Sequence, residues 1–180
     1  YLAFRGLNTC LLLVIFFNKN KMSDIARRFP ENPLLSPSSL EPSREGLHIA
    51  CLLNPGVFRY DDKIWLLVRV AERPLQNDVF VSFPVLTASG EIRIMEIALD
   101  DSELIATDKR LIRYKGIDYL TTLSHLRLLC SDDGVRFYEP KGYPHLNGRG
   151  ALETFGIEDC RVSFLKDQYY LTYTAVSESG

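Results

Sequence analysis

The sequence predicts an all-β fold, and three observations support that prediction. Short apolar runs of strand length recur along the chain, turn-forming residues separate them, and no segment sustains the 3.6-residue period of an amphipathic helix. The chain has 180 residues, 46% of them hydrophobic and 24% charged, which is ordinary globular usage. Collagen-like, low-complexity and wholly disordered proteins are therefore excluded, and a single domain is the first expectation.

The first 21 residues are expected to lie outside the natural domain. Cys10–Phe17 is continuously apolar and Asn18–Lys21 is polar and basic. The apolar run is too short to span a bilayer. Its length suits a secretion signal, an alternative that stays open, although no small-x-small cleavage site follows it. Because patterned sequence begins only after Met22, that residue is the predicted start of the natural protein.

Residues 22–46 are predicted to form an extended leader over the surface of a domain that comprises residues 47–180. Four prolines and several serines fall between Arg28 and Gly46. Their spacing leaves no room for a helix to continue, because proline lacks an amide donor and restricts the residue before it.

Nine strands are predicted in the domain, several of them paired as hairpins by their loop lengths. One helical turn is expected within Asp101–Lys109. The predicted strands are 47–52, 56–60, 63–70, 79–86, 91–98, 125–130, 135–138, 161–165 and 168–175. The turns between them are predicted at Tyr60–Asp62, Ser89-Gly90, Ser131–Gly134 and Lys166-Asp167.

Charge and cysteine usage exclude several classes of partner. The 21 basic and 23 acidic residues are interspersed and give a net charge of −2, so no basic surface for nucleic acid is expected. No membrane partner is expected either. The four cysteines are far apart and only three histidines accompany them, which argues against a zinc site or a disulfide framework. The composition is typical of a reduced, cytoplasmic protein.

An internal repeat indicates which all-β architectures fit the sequence. Residues 54–69 align without gaps on residues 159–174, and each copy is a polar residue, a strand, a short turn and an aromatic-rich strand. A β-propeller repeats such hairpins around a channel, which would bring Asn54 and Asp159 to one axis. A β-sandwich with a chance match explains the periodicity equally well.

Several motifs, in order along the chain, resemble glycoside hydrolase family 130, which comprises the β-mannoside phosphorylases and related glycosidases. The resemblance covers about residues 31–180 and implies a five-bladed β-propeller with its active site at the channel mouth. It also implies that this chain is a truncated portion of about two blades. The motifs are Leu53–Gly56, Leu66–Pro74, Tyr119–Leu128, Ser131–Gly134, Phe155–Val162 and Tyr169–Ala175.

The resemblance implies that Asp159 is the general acid, because it occupies the aspartate of the family's Gly-x-Glu-Asp-Pro-Arg motif. Here the motif reads Gly156–Arg161, with Cys160 where proline is commonest. From the residues alone, an acidic pair before a strand is more often a solvated turn. Arg161 is a second candidate, either holding a carboxylate or a ligand oxygen or making a structural ion pair.

The resemblance also implies that Asn54 and Arg69 hydrogen-bond the sugar in the cleaved subsite. The alternatives are a turn-capping Asn54 and a surface pair between Arg69 and Glu72. His125 is a further substrate-binding candidate, although a lone histidine in a strand is usually structural. Strand alternation places His125 opposite the face that carries Ser124.

Aromatic side chains in the predicted strands fit either packing between blades or a platform for stacking a sugar. Packing is the preferred interpretation for residues in strand interiors. The side chains concerned are Trp65, Tyr169, Tyr170 and Tyr173.

The expected activity is inverting phosphorolysis of β-mannosidic bonds, with an oligosaccharide substrate, inorganic phosphate as co-substrate and mannose 1-phosphate as product. No metal or other cofactor is expected. A β-mannoside hydrolase of the same family and a non-catalytic glycan-binding propeller are the alternatives. A homo-oligomer of the full-length protein is left open, and this stretch alone is expected to be inactive.

Overall fold

The structure, a computed structural model, describes residues 28–87, 89–106 and 108–177. The all-β prediction is confirmed, because these residues form ten strands and a single 3-10 turn at Pro37–Ser39. The strands are β1 (Leu47–Tyr60), β2 (Lys63–Pro74), β3 (Phe80–Leu86), β4 (Ile92–Ala98), β5 (Leu104–Ile105), β6 (Leu111–Tyr114), β7 (Ile117–Leu120), β8 (Leu123–Ser131), β9 (Ile157–Leu165) and β10 (Gln168–Ala175). Within the described ranges, no helix has the length and apolar character needed to cross a membrane.

The strands form four antiparallel sheets. Their orders are β1-β2-β8, β9-β10, β3-β4 and β5-β6-β7. The two copies of the internal repeat are the β1–β2 hairpin and the β9–β10 hairpin, and strand β9 packs against β1, β2 and β8. The repeat therefore places its two hairpins in adjacent, contacting sheets, as the propeller interpretation requires.

Alternation along β2 directs its side chains to two different cores. Val68 and Val70 are fully buried on one face, against Leu35 and Leu40 from the leader. Leu67 lies on the other face, in a cluster that includes side chains of β9. Because successive side chains point to opposite faces of a sheet, Arg69 shares the face of Leu67 and points toward the second hairpin.

The leader lies on the first face of the β1-β2-β8 sheet and is held there by buried polar groups. The Ser43 amide donates to the Glu72 carboxylate over 2.7 Å, and Arg127 Nη1 donates to the Glu41 carbonyl over 2.6 Å. The domain boundaries after residues 21 and 46 stay predictions, and residues 1–21, with the predicted start at Met22, lie outside the described residues.

The predicted helical turn within Asp101–Lys109 is wrong. Leu104–Ile105 is a short strand instead. The carboxylates of Asp101 and Asp108 accept hydrogen bonds from backbone amides two residues further on, which stabilises tight turns in competition with a helix.

The predicted strand 135–138 is also absent from the structure. Conversely, the structure contains one hairpin, between β6 and β7, that the sequence did not predict. The Asp133 carboxylate accepts hydrogen bonds from the amides of residues 135 and 136 and so draws them into the preceding turn, leaving one bridge between Tyr138 and Cys130. The unpredicted hairpin is β6–β7, whose turn at Lys115-Gly116 has positive φ at both residues.

Candidate active site

Two equivalent β-bulges position Asn54 and Asp159. In both copies of the repeat the strand pairing shifts here, and each of the two residues has a left-handed backbone, with φ of 31° and 47°. Asparagine and aspartate tolerate this conformation better than other side chains with a Cβ atom. The Asn54 amide nitrogen Nδ2 donates to Asp159 Oδ1 over 2.9 Å. Residues 105 positions apart therefore meet in one hydrogen bond.

The Arg69 guanidinium joins this pair to a second carboxylate. Nη1 donates to Asp159 Oδ1 over 2.9 Å, and Nη2 donates to Glu158 Oε1 over 2.5 Å. Only 17% of the Arg69 side chain is exposed. The alternative surface pair between Arg69 and Glu72 is thus wrong, because Glu72 points to the opposite face and accepts hydrogen bonds from the amide and the hydroxyl of Ser43.

Ser124 on β8 completes a group of five side chains, which we call the acid cluster: Asn54, Arg69, Ser124, Glu158 and Asp159. The Ser124 hydroxyl accepts from Arg69 Nε over 3.1 Å and donates to Glu158 Oε1 over 3.0 Å. The sequence did not single out Ser124 or Glu158 as site residues. The signals were present, because Glu158 belongs to the acid motif and Ser124 lies on the face of β8 opposite His125.

Gly156 holds strand β8 against the start of β9. It forms a parallel bridge with Ser124 and has a φ of +96°. A Cβ atom built on Gly156 would lie 2.1 Å from the Ser124 carbonyl oxygen. Only glycine permits this approach, which sets Ser124 beside Glu158.

The electrostatics of the cluster favour ionised Asp159. The Asn54 amide and then the Arg69 guanidinium hold the pKa of the Asp159 carboxyl below its usual range, against partial burial, and the nearby Arg161 charge acts in the same direction. The Asp159 side chain is 42% exposed, so a ligand can reach it from solvent.

The two residues that follow Asp159 have different environments. Cys160 is fully buried, donates from Sγ to the Leu67 carbonyl over 3.0 Å, and has a thiol pKa raised by burial. It therefore anchors β9 to β2 as a neutral side chain. Arg161 is exposed, and its Nη1 donates to the Cys160 carbonyl over 2.8 Å. Arg161 thus influences Asp159 through its charge and has no hydrogen bond to it.

The structure does not bring His125 to the acid cluster. Its side chain is 1% exposed and lies on the leader face of β8, where its ring stacks on His145 at a centroid distance of 5.4 Å. Nδ1 lies 3.9 Å from the Glu72 carboxylate. The predicted substrate contact of His125 therefore has no geometric support in this structure.

The buried His125 leads to a prediction about stability. Burial, followed by the charges of His145 and Arg127, lowers its pKa to about 3, against a weak opposing effect of Glu139. Between about pH 6.5 and pH 3 the unfolded chain binds a proton that the folded chain does not, which costs about 1.4 kcal/mol of unfolding free energy per pH unit. The contribution of neutral His125 to the free energy of unfolding is therefore fully present above about pH 6.5 and is lost as the pH falls toward 3.

We expect His125→Leu to weaken this pH dependence. Urea unfolding at pH 7 and pH 5 should show that the original protein loses about 2 kcal/mol more than the variant over this interval. Equal losses would show that His125 takes up its proton as readily in the folded protein as in the unfolded chain.

Of the four aromatic side chains singled out in the sequence, Tyr169 makes a contact that supports packing between blades. Tyr169 lies between the two repeat hairpins, with its ring centroid 5.4 Å from that of Phe58, and Trp65 stacks on Phe58 at 6.2 Å. The Tyr169 contact fits packing between sheets, whereas Phe58 and Trp65 are cross-strand partners within the β1–β2 hairpin. Tyr170 and Tyr173 are exposed on β10, and the Tyr173 hydroxyl donates to Glu153.

A cavity of about 280 Å³ also lies between the repeat hairpins. Its lining is almost wholly apolar and offers few donors or acceptors for a sugar, so the acid cluster is the better candidate site. The cavity is lined by Phe58, Leu67, Leu128, Tyr143, Pro144, Leu146, Val162, Tyr169 and Leu171.

Comparisons with known proteins agree with the fold and the motifs. No protein-family model matches the chain. The chain is 39% identical over 159 residues to a β-1,2-mannobiose phosphorylase of Listeria innocua serovar 6a, a match that covers 85% of the chain and 44% of the relative. The solved complex of a β-1,2-mannobiose phosphorylase from Listeria innocua with β-1,2-mannobiose superposes with a TM-score of 0.73 and 37% identity, over 84% of this chain and 44% of that one.

The chain thus spans less than half the length of the relatives that it matches. The matched region nevertheless includes most of this chain, both in the sequence alignment and in the structural superposition. The resemblance to glycoside hydrolase family 130 is confirmed: this chain is a homologue of a β-1,2-mannobiose phosphorylase and has the all-β propeller fold of that family over the part that it spans.

Proposed function

We propose that the full-length protein cleaves β-mannosides by inverting phosphorolysis, with the acid cluster at the reacting bond. The observation that carries the proposal is that Asn54 Nδ2 and Arg69 Nη1 each lie 2.9 Å from Asp159 Oδ1. Asn54 and Asp159 are brought together by the two equivalent bulges. A partly exposed carboxylate beside a fixed amide and a fixed guanidinium suits a sugar, whose vicinal hydroxyls need both donors and acceptors.

Each residue has a distinct role in the proposed reaction. Asn54 and Arg69 hold the mannosyl ring, and Asp159 supplies the proton that the departing glycosidic oxygen takes up, directly or through a sugar hydroxyl. An oxygen of inorganic phosphate attacks C1 from the opposite face. The C1–oxygen bond to the leaving sugar breaks, a C1–oxygen bond to phosphate forms, and mannose 1-phosphate leaves with the shortened sugar. Phosphate replaces activated water, so no second carboxylate base is needed.

Because the pKa of Asp159 is lowered in this structure, the proposed mechanism requires that substrate binding raise it. While Asn54 and Arg69 both donate to Oδ1, the carboxylate is favoured and a general acid is scarce at neutral pH. Sugar hydroxyls that compete for these two donors would release Oδ1 and raise the pKa. Substrate binding and protonation of Asp159 are therefore coupled in this proposal.

β-1,2-Mannobiose is the first substrate to test, because the relatives are named for its phosphorolysis. We expect the full-length protein to consume it faster when inorganic phosphate is added and to form mannose 1-phosphate, with sulfate as the control anion. Anion chromatography and reducing-sugar assays measure the two products separately. Release of two mannoses per disaccharide independently of phosphate would replace the proposal with a hydrolase, and binding without cleavage would replace it with a glycan-binding propeller.

A further inference from the structure

Glu158 shares the Arg69 guanidinium with Asp159. Its Oε1 lies 2.5 Å from Nη2, a shorter contact than the 2.9 Å between Nη1 and Asp159. Its side chain is also less exposed than that of Asp159, at 22% against 42%. A charge-assisted hydrogen bond is stronger when it is short and shielded from water, so Glu158 is the closer partner of Arg69.

Ser124 closes this contact into a ring. Arg69 Nε donates to the Ser124 hydroxyl, that hydroxyl donates to Glu158 Oε1, and the same oxygen accepts from Arg69 Nη2. Two hydrogen bonds from different nitrogens of a planar group fix both its position and its plane. The remaining nitrogen, Nη1, is consequently directed at Asp159.

We propose that Glu158 is a positioning residue that fixes the Arg69 guanidinium and offsets its positive charge, so that Asp159 can take up a proton when the sugar binds. This inference rests on the proposed function, because it gives Asp159 the role of the acid. Glu158 itself need not touch the sugar.

The charges around Asp159 determine in which direction its pKa should change when the charge of Glu158 is removed. The groups that act on Asp159 are the cations Arg69 and Arg161 and the neutral amide of Asn54. The Glu158 carboxylate contacts Arg69 and so acts on Asp159 through that cation. Without the charge of Glu158, the positive charge of Arg69 would act on Asp159 without an anion to offset it, in addition to the charge of Arg161. Opposite charges favour the ionised carboxyl, so the proton would be lost at lower pH.

The test is Glu158→Gln in the full-length protein, assayed with β-1,2-mannobiose and phosphate. The amide keeps the length of the side chain and an acceptor oxygen but removes the charge. Because the proton is taken up in the sugar-bound enzyme, we expect the alkaline limb of the kcat profile to move to lower pH by about 1 unit. Titration of the Asp159 carboxyl by carbon NMR should move in the same direction.

Two matched variants separate charge from structure. Ser124→Ala loosens the ring without changing any charge, and we expect it to raise KM and leave the alkaline limb in place. Glu158→Asp keeps the charge, and the limb should return toward its original pH. It also serves as the test if Glu158→Gln does not fold, because a limb that shifts despite the retained charge would overturn the proposal.

The outcomes distinguish this inference from the proposed function. An unchanged limb and an unchanged NMR titration in Glu158→Gln would overturn it, leaving a purely structural role. The NMR titration needs no turnover. If the original protein cleaves no mannoside but the Asp159 titration moves, the proposed function fails while the charge coupling between Glu158 and Asp159 stands.

Discussion

Asp159→Asn in the full-length protein should lower turnover of β-mannoside by about 10²–10⁴-fold while leaving sugar binding nearly unchanged. Asparagine keeps the size of the side chain and an acceptor for Asn54 and Arg69, but it has no proton to deliver to the leaving oxygen. Binding should survive because Asn54 and Arg69 hold the ring. The measurements are steady-state kinetics with phosphate and calorimetry with the disaccharide.

A matched control is Asp167→Asn, in the turn between β9 and β10. It makes the same chemical change at a position outside the acid cluster, and we expect full activity. If Asp159→Asn retains full activity, Asp159 is not the acid and the family's assignment does not transfer to this chain.

Gly156→Ala should destabilise the fold by about 3 kcal/mol or more, because it combines a steric overlap with a strained backbone. The added Cβ would lie 2.1 Å from the Ser124 carbonyl oxygen, at a φ of +96°. Relief of the overlap requires β8 and β9 to separate, which would also move Ser124 away from Glu158. Urea unfolding measures the loss of stability, and the disaccharide assay measures the loss of activity.

Gly150→Ala separates the two causes. Gly150 also has a positive φ, of +73°, but a Cβ there would meet nothing within 4 Å. We expect it to cost only about 1 kcal/mol, the penalty of a left-handed backbone. Similar losses in the two variants would show that the close approach of β8 and β9 contributes little to stability.

The sequence predicted the fold class and the hairpins that carry the site, because both depend on local patterns. Alternating apolar residues and two-residue turns at Asp61-Asp62 and Lys166-Asp167 determine the repeat hairpins, and both turns have the positive φ values expected of tight hairpins. The 101–109 segment was wrongly predicted because the carboxylates of Asp101 and Asp108 accept hydrogen bonds from backbone amides and so stabilise turns. The spacing of apolar residues along the sequence gives no sign of these hydrogen bonds.

The candidate site could be predicted only in part. The repeat and the motifs placed Asn54 and Asp159 together, and the structure brings them into direct contact. The roles of Glu158 and Ser124 depend on a bridge between β8 and β9, a tertiary contact with no periodic signature. The prediction for His125 was weaker. Alternation of side chains along the strand places Ser124 and His125 on opposite faces, but it does not show which of the two faces borders the site.

A crystal structure of the full-length Asp159→Asn variant with β-1,2-mannobiose would show whether the acid cluster binds the substrate at its reacting bond. We expect one mannosyl ring to lie against the acid cluster, with Asn54 and Arg69 within hydrogen-bond distance of its hydroxyls. Residue 159 should lie within reach of the glycosidic oxygen or of a hydroxyl that can relay a proton to it. A disaccharide bound elsewhere, with the hydrogen bonds among the side chains of the acid cluster intact, would show that this cluster is not the sugar-binding site.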